Sequence, residues 1–190
     1  MINIIDNFLD ADLYNETHEM LSSNEFKEVS AGDKSFWVQF STPEFDKIVL
    51  DKISKIEGVE RKNVFSFFRV ATDKVDTDWR VHADSIINGD RPERALVLYL
   101  SPSSSMDGLL HGTAFWKHEH FGEWMPEGVS FDEFDKVLLE DSNNMEKWEL
   151  KSVIGHKENR VVCYPCSYFH SKYPNEAWKE GRMVYVMFYK

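Results

Sequence analysis

The sequence is short of several features, and each shortage excludes a class of protein. Only two of its 190 residues are cysteines, so a disulfide framework does not hold the fold together. No apolar run is long enough to cross a bilayer, and the first residues lack the basic start and apolar stretch of a signal peptide. We therefore expect a cytoplasmic protein that makes no membrane contact.

Basic residues are also scarce, since 22 Lys and Arg stand against 33 Asp and Glu for a net charge of −11. A surface of this sign repels phosphate backbones, which makes nucleic acid an unlikely partner on physical grounds. Aromatic residues, in contrast, are plentiful: 14 Phe, 7 Tyr and 6 Trp. Such bulky side chains suit a β-rich core, and the length is enough for one domain spanning residues 1–190.

Hydrophobic periodicity predicts that residues 1–60 form mainly helical support for the rest of the chain. A short strand is predicted at Ile2–Ile5, and a second helix over Glu44–Ile56. The first helix is predicted from apolar and aromatic positions at helical spacing, namely Leu9, Leu13, His18 and Leu21.

Residues 61–190 change period and read as a β core. The strand-like runs, rich in aromatic and β-branched residues, are Val64–Val70, Trp79–Ser85, Arg94–Leu100, Thr113–His118, Arg160–Tyr164 and Met183–Tyr189. Phe131–Leu139 predicts a further helix inside an apparent insertion across roughly 119–155. Helices followed by many strands indicate an α+β fold, mainly β, whose strands close into a barrel or sandwich.

Four residues in this β region carry a chemical signal. His82 and Asp84 are two positions apart, so on an extended segment their side chains lie on the same face. His170 ends a later strand-like run. Two imidazoles and one carboxylate on a shared face are the ligands of a facial-triad iron(II) site, which leaves other coordination positions open.

Arg182 is the fourth of these residues and opens the last predicted strand. An arginine at the mouth of an otherwise apolar strand needs an anionic partner, because an unpaired buried charge is costly. A carboxylate bound by two parallel hydrogen bonds is one such partner.

In this order, His82-x-Asp84, His170 and Arg182 resemble the 2-oxoglutarate- and iron(II)-dependent oxygenases, in particular their prolyl-hydroxylase-like branch. Leu98-Tyr99-Leu100-Ser101 is similar to the Tyr-Leu-Asn strand of that family, although Ser101 replaces its Asn. Gly112-Thr113-Ala114-Phe115 is similar to its Gly-rich strand start. The resemblance covers most of residues 1–190.

The resemblance implies a double-stranded β-helix (jelly-roll, cupin-like) with N-terminal buttressing helices. It implies iron(II) bound by His82, Asp84 and His170, and 2-oxoglutarate bound by Arg182 with help from Tyr99. It further implies a dioxygenase that uses O2 to hydroxylate a peptide, a protein side chain or a small polar molecule, with release of succinate and CO2. No residue beyond the metal ligands is then required as a separate acid or base.

Two other interpretations remain open at the level of sequence. Gly112 is followed six positions later by His118-Glu119-His120, which resembles the first cupin motif and would give a metal site of His118, His120 and His170. Alternatively, the chain is a non-catalytic acidic β-barrel binding module. Its binding groove would be lined by Trp116, Trp124, Trp148 and Trp178.

The two cysteines, Cys163 and Cys166, form a C-x-x-C pattern on a strand-like run. A redox pair normally lies where a strand gives way to a helix N-terminus, and a zinc site needs a second ligand pair at suitable spacing. We therefore interpret them as buried or half-buried thiols without a chemical role.

Overall fold

The computed structural model of the protein describes residues 1–31, 34–72, 74–84, 87, 90–102, 111–174 and 181–190. Its helices are α1 (Ala11–Ser23), α2 (Pro43–Glu57) and α3 (Phe131–Lys136). A π-helical turn, Val137–Asp141, continues α3, and a 3₁₀ turn covers Met145–Lys147. The ten strands are β1 (Asn3–Ile5), β2 (Lys27–Ala31), β3 (Lys34–Phe40), β4 (Asn63–Ala71), β5 (Arg94–Tyr99), β6 (Gly112–His118), β7 (Trp148–Gly155), β8 (Val161–Pro165), β9 (His170–Tyr173) and β10 (Arg182–Tyr189).

The strands form two antiparallel sheets, so the chain is mainly β, as predicted. Seven strands make the large sheet in the order β1-β8-β5-β10-β4-β3-β2. The small sheet has the order β7-β6-β9, and a single bridge between His82 and His170 continues it beyond β9. Residues from both sheets meet in one apolar cluster, in which Phe115 of β6 packs with Tyr99 of β5 and Val184 of β10.

The helices α1 and α2 cover the outer face of the large sheet. Phe45 of α2 packs against Phe68 of β4 and Tyr185 of β10, with ring centroids 5.3 and 5.0 Å apart. Local sequence sets the bounds of α2, since the side chain of Thr42 accepts a hydrogen bond from the Phe45 amide and Gly58 ends the helix at φ 71°. The inner face of the large sheet is turned toward the small sheet.

Strand alternation in β10 separates these two faces. Tyr185, Met187 and Tyr189 belong to the cluster under the helices, whereas Val184 and Phe188 belong to the cluster between the sheets. Arg182 shares the inner face because it lies at the same period-two positions. The predicted strands at Val64–Val70, Arg94–Leu100 and Met183–Tyr189 therefore form the centre of the large sheet, as β4, β5 and β10.

The structure differs from the sequence prediction in several places. The predicted strand Trp79–Ser85 is not a ladder: within its described residues only His82 forms a bridge, and Ser85 lies outside the described residues. The hairpin β2–β3 was not predicted, because Lys, Glu and Ser interrupt its apolar pattern. The region 119–155 contains β7, which pairs with β6 along its length.

Candidate active site

The segment that carries His82 and Asp84 is held by backbone hydrogen bonds to two different parts of the chain. The amide of His82 donates to the carbonyl of His170 at 2.9 Å, and the amide of His170 returns a bond to His82 at 2.8 Å. The amide of Asp84 donates to the carbonyl of Cys166 at 2.8 Å. Both side chains therefore lie beside the start of β9, on one face, as the period-two pattern predicts.

His82, Asp84 and His170 come together as a compact group of possible metal ligands. One ligand atom from each residue lies within 4.8 Å of the others, and no other such group is found among the described residues. The Nε2 of His170 is 3.2 Å from one oxygen of Asp84, and the Nε2 of His82 is 3.6 Å from the other. Two nitrogens and one carboxylate oxygen on one side suit a metal whose remaining positions stay open.

Each imidazole is oriented by a carbonyl oxygen two residues before it. The Nδ1 of His82 lies 2.9 Å from the carbonyl of Arg80, and the Nδ1 of His170 lies 2.9 Å from the carbonyl of Tyr168. A carbonyl oxygen only accepts, so Nδ1 must carry the proton in both rings. In the neutral rings, each Nε2 is then left unprotonated on the side of the ring that faces Asp84, where a bound cation could accept its lone pair, as in metal-binding histidines.

The charge on Asp84 is favoured by its neighbours. Burial raises the pKa of this carboxyl, but the positive charge and the hydrogen bond of a protonated His170 ring, together with the charges of His82 and Arg69, lower it by more. The net pKa of Asp84 lies below its ordinary value. A carboxylate held ionised in a half-buried position is suited to a cation.

Arg182 lies on the wall of the same cavity as the triad. This cavity has a volume of about 590 Å³, and its lining includes all three candidate ligands, Arg182 and Thr113. Arg182 is only 8 % exposed, and burial lowers the pKa of its guanidinium. A bound anion would offset the cost of burying this charge.

Tyr99 is fully buried behind this wall. Its hydroxyl is 2.7 Å from the Thr113 hydroxyl, and the Arg182 guanidinium lies 5.7 Å from the centroid of its ring. Burial raises the pKa of Tyr99, which keeps the phenol protonated. Thr113 stands in front of Tyr99 and lines the cavity itself. We did not predict this role for Thr113, although the alternation of β6 places it on the same face as Phe115.

His118 and His120 do not join the triad. His118 follows Ala114 and Trp116 along the opposite face of β6, and its ring packs 4.7 Å from that of Trp148. Its Nε2 lies 3.1 Å from Asp141, while its Nδ1 accepts the amides of His120 and Phe121. The cupin interpretation is therefore not favoured, because His118 stabilises a turn and His120 is exposed.

The tryptophans and cysteines do not form a site among the described residues either. Trp116 and Trp148 are buried, Trp124 is half exposed and stacks on Tyr168, and Trp178 lies outside the described residues. Cys163 and Cys166 are buried free thiols. Burial raises the pKa of Cys163 to about 12, which removes the thiolate needed for redox or metal chemistry. No helix in the described parts of the chain is long and apolar enough to span a membrane.

No protein-family model and no curated protein sequence matches the chain, but its fold is similar to that of several solved structures. The non-heme alpha ketoglutarate dependent carbocyclase SnoK from nogalamycin biosynthesis is 16% identical, with a TM-score of 0.64 over 99% of this chain and 78% of that one. HygX from Streptomyces hygroscopicus with iron bound is 10% identical, with a TM-score of 0.61 over 99% and 81%. A Pseudomonas putida prolyl-4-hydroxylase is 13% identical, with a TM-score of 0.54 over 100% and 91%. The chain therefore has the fold of 2-oxoglutarate- and iron(II)-dependent oxygenases.

Proposed function

We propose that the protein is a 2-oxoglutarate- and iron(II)-dependent dioxygenase built on a double-stranded β-helix. His82, Asp84 and His170 hold iron(II), and Arg182 receives the distal carboxylate of 2-oxoglutarate. Thr113 faces that carboxylate, and Tyr99 supports Thr113 from behind through the hydroxyl contact. The observation that carries the proposal is the shared cavity, because the ligand group and a buried guanidinium line the same space.

The residues present fit an iron(II) ion. Their donor set is two imidazole nitrogens and one ionised carboxylate, which is the facial triad of non-heme iron oxygenases. When bound, iron(II) with 2-oxoglutarate and O2 supplies the oxidising power, and succinate and CO2 are released. The chain itself orients the ligands, through the Arg80 and Tyr168 carbonyls, and keeps Asp84 ionised.

Charge complementarity supports 2-oxoglutarate as the cosubstrate. The whole chain carries −11, yet four cations line this cavity, at Arg69, Arg80, Lys172 and Arg182. Among the described lining residues the carboxylates are Asp78 and Asp84, and Asp76 pairs with Arg69 from outside the lining, so the positive charges still outnumber the negative ones. A dianion is thus attracted to the cavity although the protein as a whole repels it.

Hydroxylation is the reaction we propose, with a small molecule or a peptide as substrate. Solved structures with a similar fold include HygX with hygromycin B bound, a prolyl-4-hydroxylase and an epimerase. The fold alone is therefore compatible with more than one reaction. Asp84 supports hydroxylation over halogenation because its carboxylate occupies the position that a halide would need.

Anaerobic visible spectroscopy tests this function without knowledge of the substrate. Iron(II) and then 2-oxoglutarate should together produce a weak metal-to-ligand charge-transfer band in the wild-type protein. We expect Arg182→Gln to raise the 2-oxoglutarate concentration needed for half of the band at least tenfold, while iron affinity changes less than twofold. Asp84→Ala should remove the band, because it removes a ligand.

Arg61→Gln is a matched control for Arg182→Gln. Arg61 lies 5.6 Å from the ring centroid of Tyr189, at the other end of β10, so it repeats the Arg–Tyr packing outside the cavity lining. Its variant should give the wild-type titration. The proposal is wrong if the wild-type protein shows no band. It is also wrong if Arg61→Gln and Arg182→Gln weaken the binding of 2-oxoglutarate equally.

A further inference from the structure

The inner face of the large sheet changes from charged to apolar side chains along β4 and β10. Across β4 and β10 the register pairs Arg182 with Ala71, Val184 with Arg69, Val186 with Phe67 and Phe188 with Phe65. Both arginines thus lie at one end of the cavity wall, and only apolar side chains follow toward the other end. The candidate metal ligands and the guanidiniums lie at the polar end of the cavity, and an apolar stretch of its wall extends away from them along β4 and β10.

The apolar end continues onto the hairpin β2–β3. Val38 and Phe40 of β3 line the cavity beside Phe65 and Phe67 of β4. We call these residues, together with Val186 and Phe188 of β10, the apolar wall. None of the six side chains carries a hydrogen-bonding group.

Aromatic rings form a continuous row along the apolar wall. The centroids of Phe40 and Phe65 are 6.3 Å apart, those of Phe65 and Phe67 are 5.3 Å apart, and those of Phe67 and Phe188 are 6.5 Å apart. Phe65 and Phe67 are only half buried, and Phe40 is 63 % exposed at the rim. Such a row provides favourable contacts for another ring that enters the cavity.

Two of the charged side chains near this wall, Arg69 and Arg80, form ion pairs within the chain. Arg69 forms an ion pair with Asp76 and lies 4.6 Å above the ring of Phe36, and Arg80 forms an ion pair with Asp78. These side chains therefore do not require a charged group on the substrate. What the wall lacks is a set of donors and acceptors for peptide amides or sugar hydroxyls, whose burial without partners is costly.

We propose that the substrate is a small molecule with an apolar, ring-containing body. The body lies along Phe65, Phe67 and Phe188, and this directs its oxidisable carbon toward His82, Asp84 and His170. The inference rests on the proposed oxygenase function and narrows its substrate class, in place of the peptide or polar molecule that the sequence resemblance suggests. A cavity of about 590 Å³ is in the size range of small-molecule sites.

The test measures binding to the full chain loaded with nickel(II) and 2-oxoglutarate, by titration calorimetry. The probes are 2-naphthol as the apolar ring, and maltose and an acetylated Gly-Pro-Gly amide as the polar comparators. We expect 2-naphthol to bind at least tenfold more tightly than either comparator. Val186→Thr adds a hydroxyl at nearly constant shape, and Phe67→Ala removes a ring. Each variant should lower the affinity for 2-naphthol at least fivefold.

Trp124→Ala is the control, because Trp124 is a half-exposed aromatic residue that stacks on Tyr168 outside this cavity. Trp124→Ala should leave 2-naphthol binding unchanged. In the two wall variants, Val186→Thr and Phe67→Ala, an unchanged affinity for 2-oxoglutarate verifies that the protein is folded. Equal or tighter binding of a comparator overturns the inference, as does loss of 2-naphthol binding in Trp124→Ala alone. A wild-type protein that binds no 2-oxoglutarate overturns the proposed function instead, so the two failures are distinct.

Discussion

At the scale of single residues, the site depends on which ring nitrogen each histidine offers. In His82 and His170 a backbone carbonyl occupies Nδ1 and leaves Nε2 for the site, whereas in His118 both ring nitrogens are engaged by Asp141 and by the turn that follows. The same side chain therefore has different chemistry in the two places. The strand face on which the histidine lies and its hydrogen-bond partners determine whether its ring can bind a metal.

This difference predicts opposite outcomes for two histidine variants. His170→Ala should abolish tight iron(II) binding and leave the free energy of unfolding little changed, because its ring borders the cavity. His118→Ala should retain iron(II) binding but lower the free energy of unfolding by about 2 kcal/mol, because the buried ring that packs against Trp148 and Phe169 is lost together with its hydrogen bonds. Competition titration with a chelator and urea unfolding measure the two quantities. Loss of iron(II) binding in His118→Ala alone would instead support the cupin interpretation.

At the scale of elements, the segment between β4 and His82 brings two of the candidate ligands, His82 and Asp84, to β9. Asp76 anchors it: its carboxylate is fully buried and paired with Arg69, and its carbonyl accepts a bond from the Lys172 ammonium at 2.7 Å. The backbone of Asp76 has φ 51°, a left-handed conformation that Asp and Asn tolerate better than other side chains. One residue thus ties β4, β9 and the ligand segment together.

Asp76→Asn separates the charge of this anchor from its backbone conformation. The variant keeps a side chain suited to positive φ but leaves Arg69 without its carboxylate, which we expect to cost about 3 kcal/mol of unfolding free energy. Iron(II) affinity should fall as well, because the segment that presents His82 and Asp84 is held less firmly. Urea unfolding and a metal titration check this, with Lys47→Ala as a control on an exposed ion pair that should cost under about 1 kcal/mol. Equal losses in the two variants would contradict the anchoring role.

The elements also differ in how well sequence predicts them. The helix predicted at Glu44–Ile56 is confirmed as α2, because its period and its Thr42 cap are local signals. The strands β2, β3, β7 and β9 are missing from the prediction. β7 and β9 gain their partner β6 from a remote part of the chain. In the hairpin β2–β3 and in β7, charged residues such as Lys27, Glu28, Glu149 and Lys151 obscure the alternation.

At the scale of the whole molecule, stability should depend on His156. Its Nε2 lies 2.9 Å from the Ser101 carbonyl, its ring packs 4.9 Å from that of Tyr99, and burial lowers its pKa from 6.5 to about 4. The unfolded chain then binds a proton that the folded chain does not. The contribution of His156 to the free energy of unfolding is therefore complete above pH 6.5 and is lost as the pH falls toward 4.

We therefore expect His156→Gln to flatten the acid side of the stability profile. Between pH 7.5 and pH 5 the wild-type protein should lose about 1 kcal/mol more unfolding free energy than the variant, after allowance for the partial solvent exposure of the ring. Urea unfolding at both pH values measures the difference. A parallel decline of the two proteins would show that His156 does not titrate on unfolding.

The sequence by itself determined the mainly β architecture and the order of His82, Asp84, His170 and Arg182. These follow from ligand chemistry and from the period-two alternation of strands, which are properties of neighbouring residues. Only the tertiary structure decided which faces meet. It turned His118 away from the candidate metal ligands and put Thr113 in front of Tyr99. It also brought the unpredicted hairpin β2–β3 onto the cavity as part of an apolar wall, because pairing between remote strands sets what each face contacts.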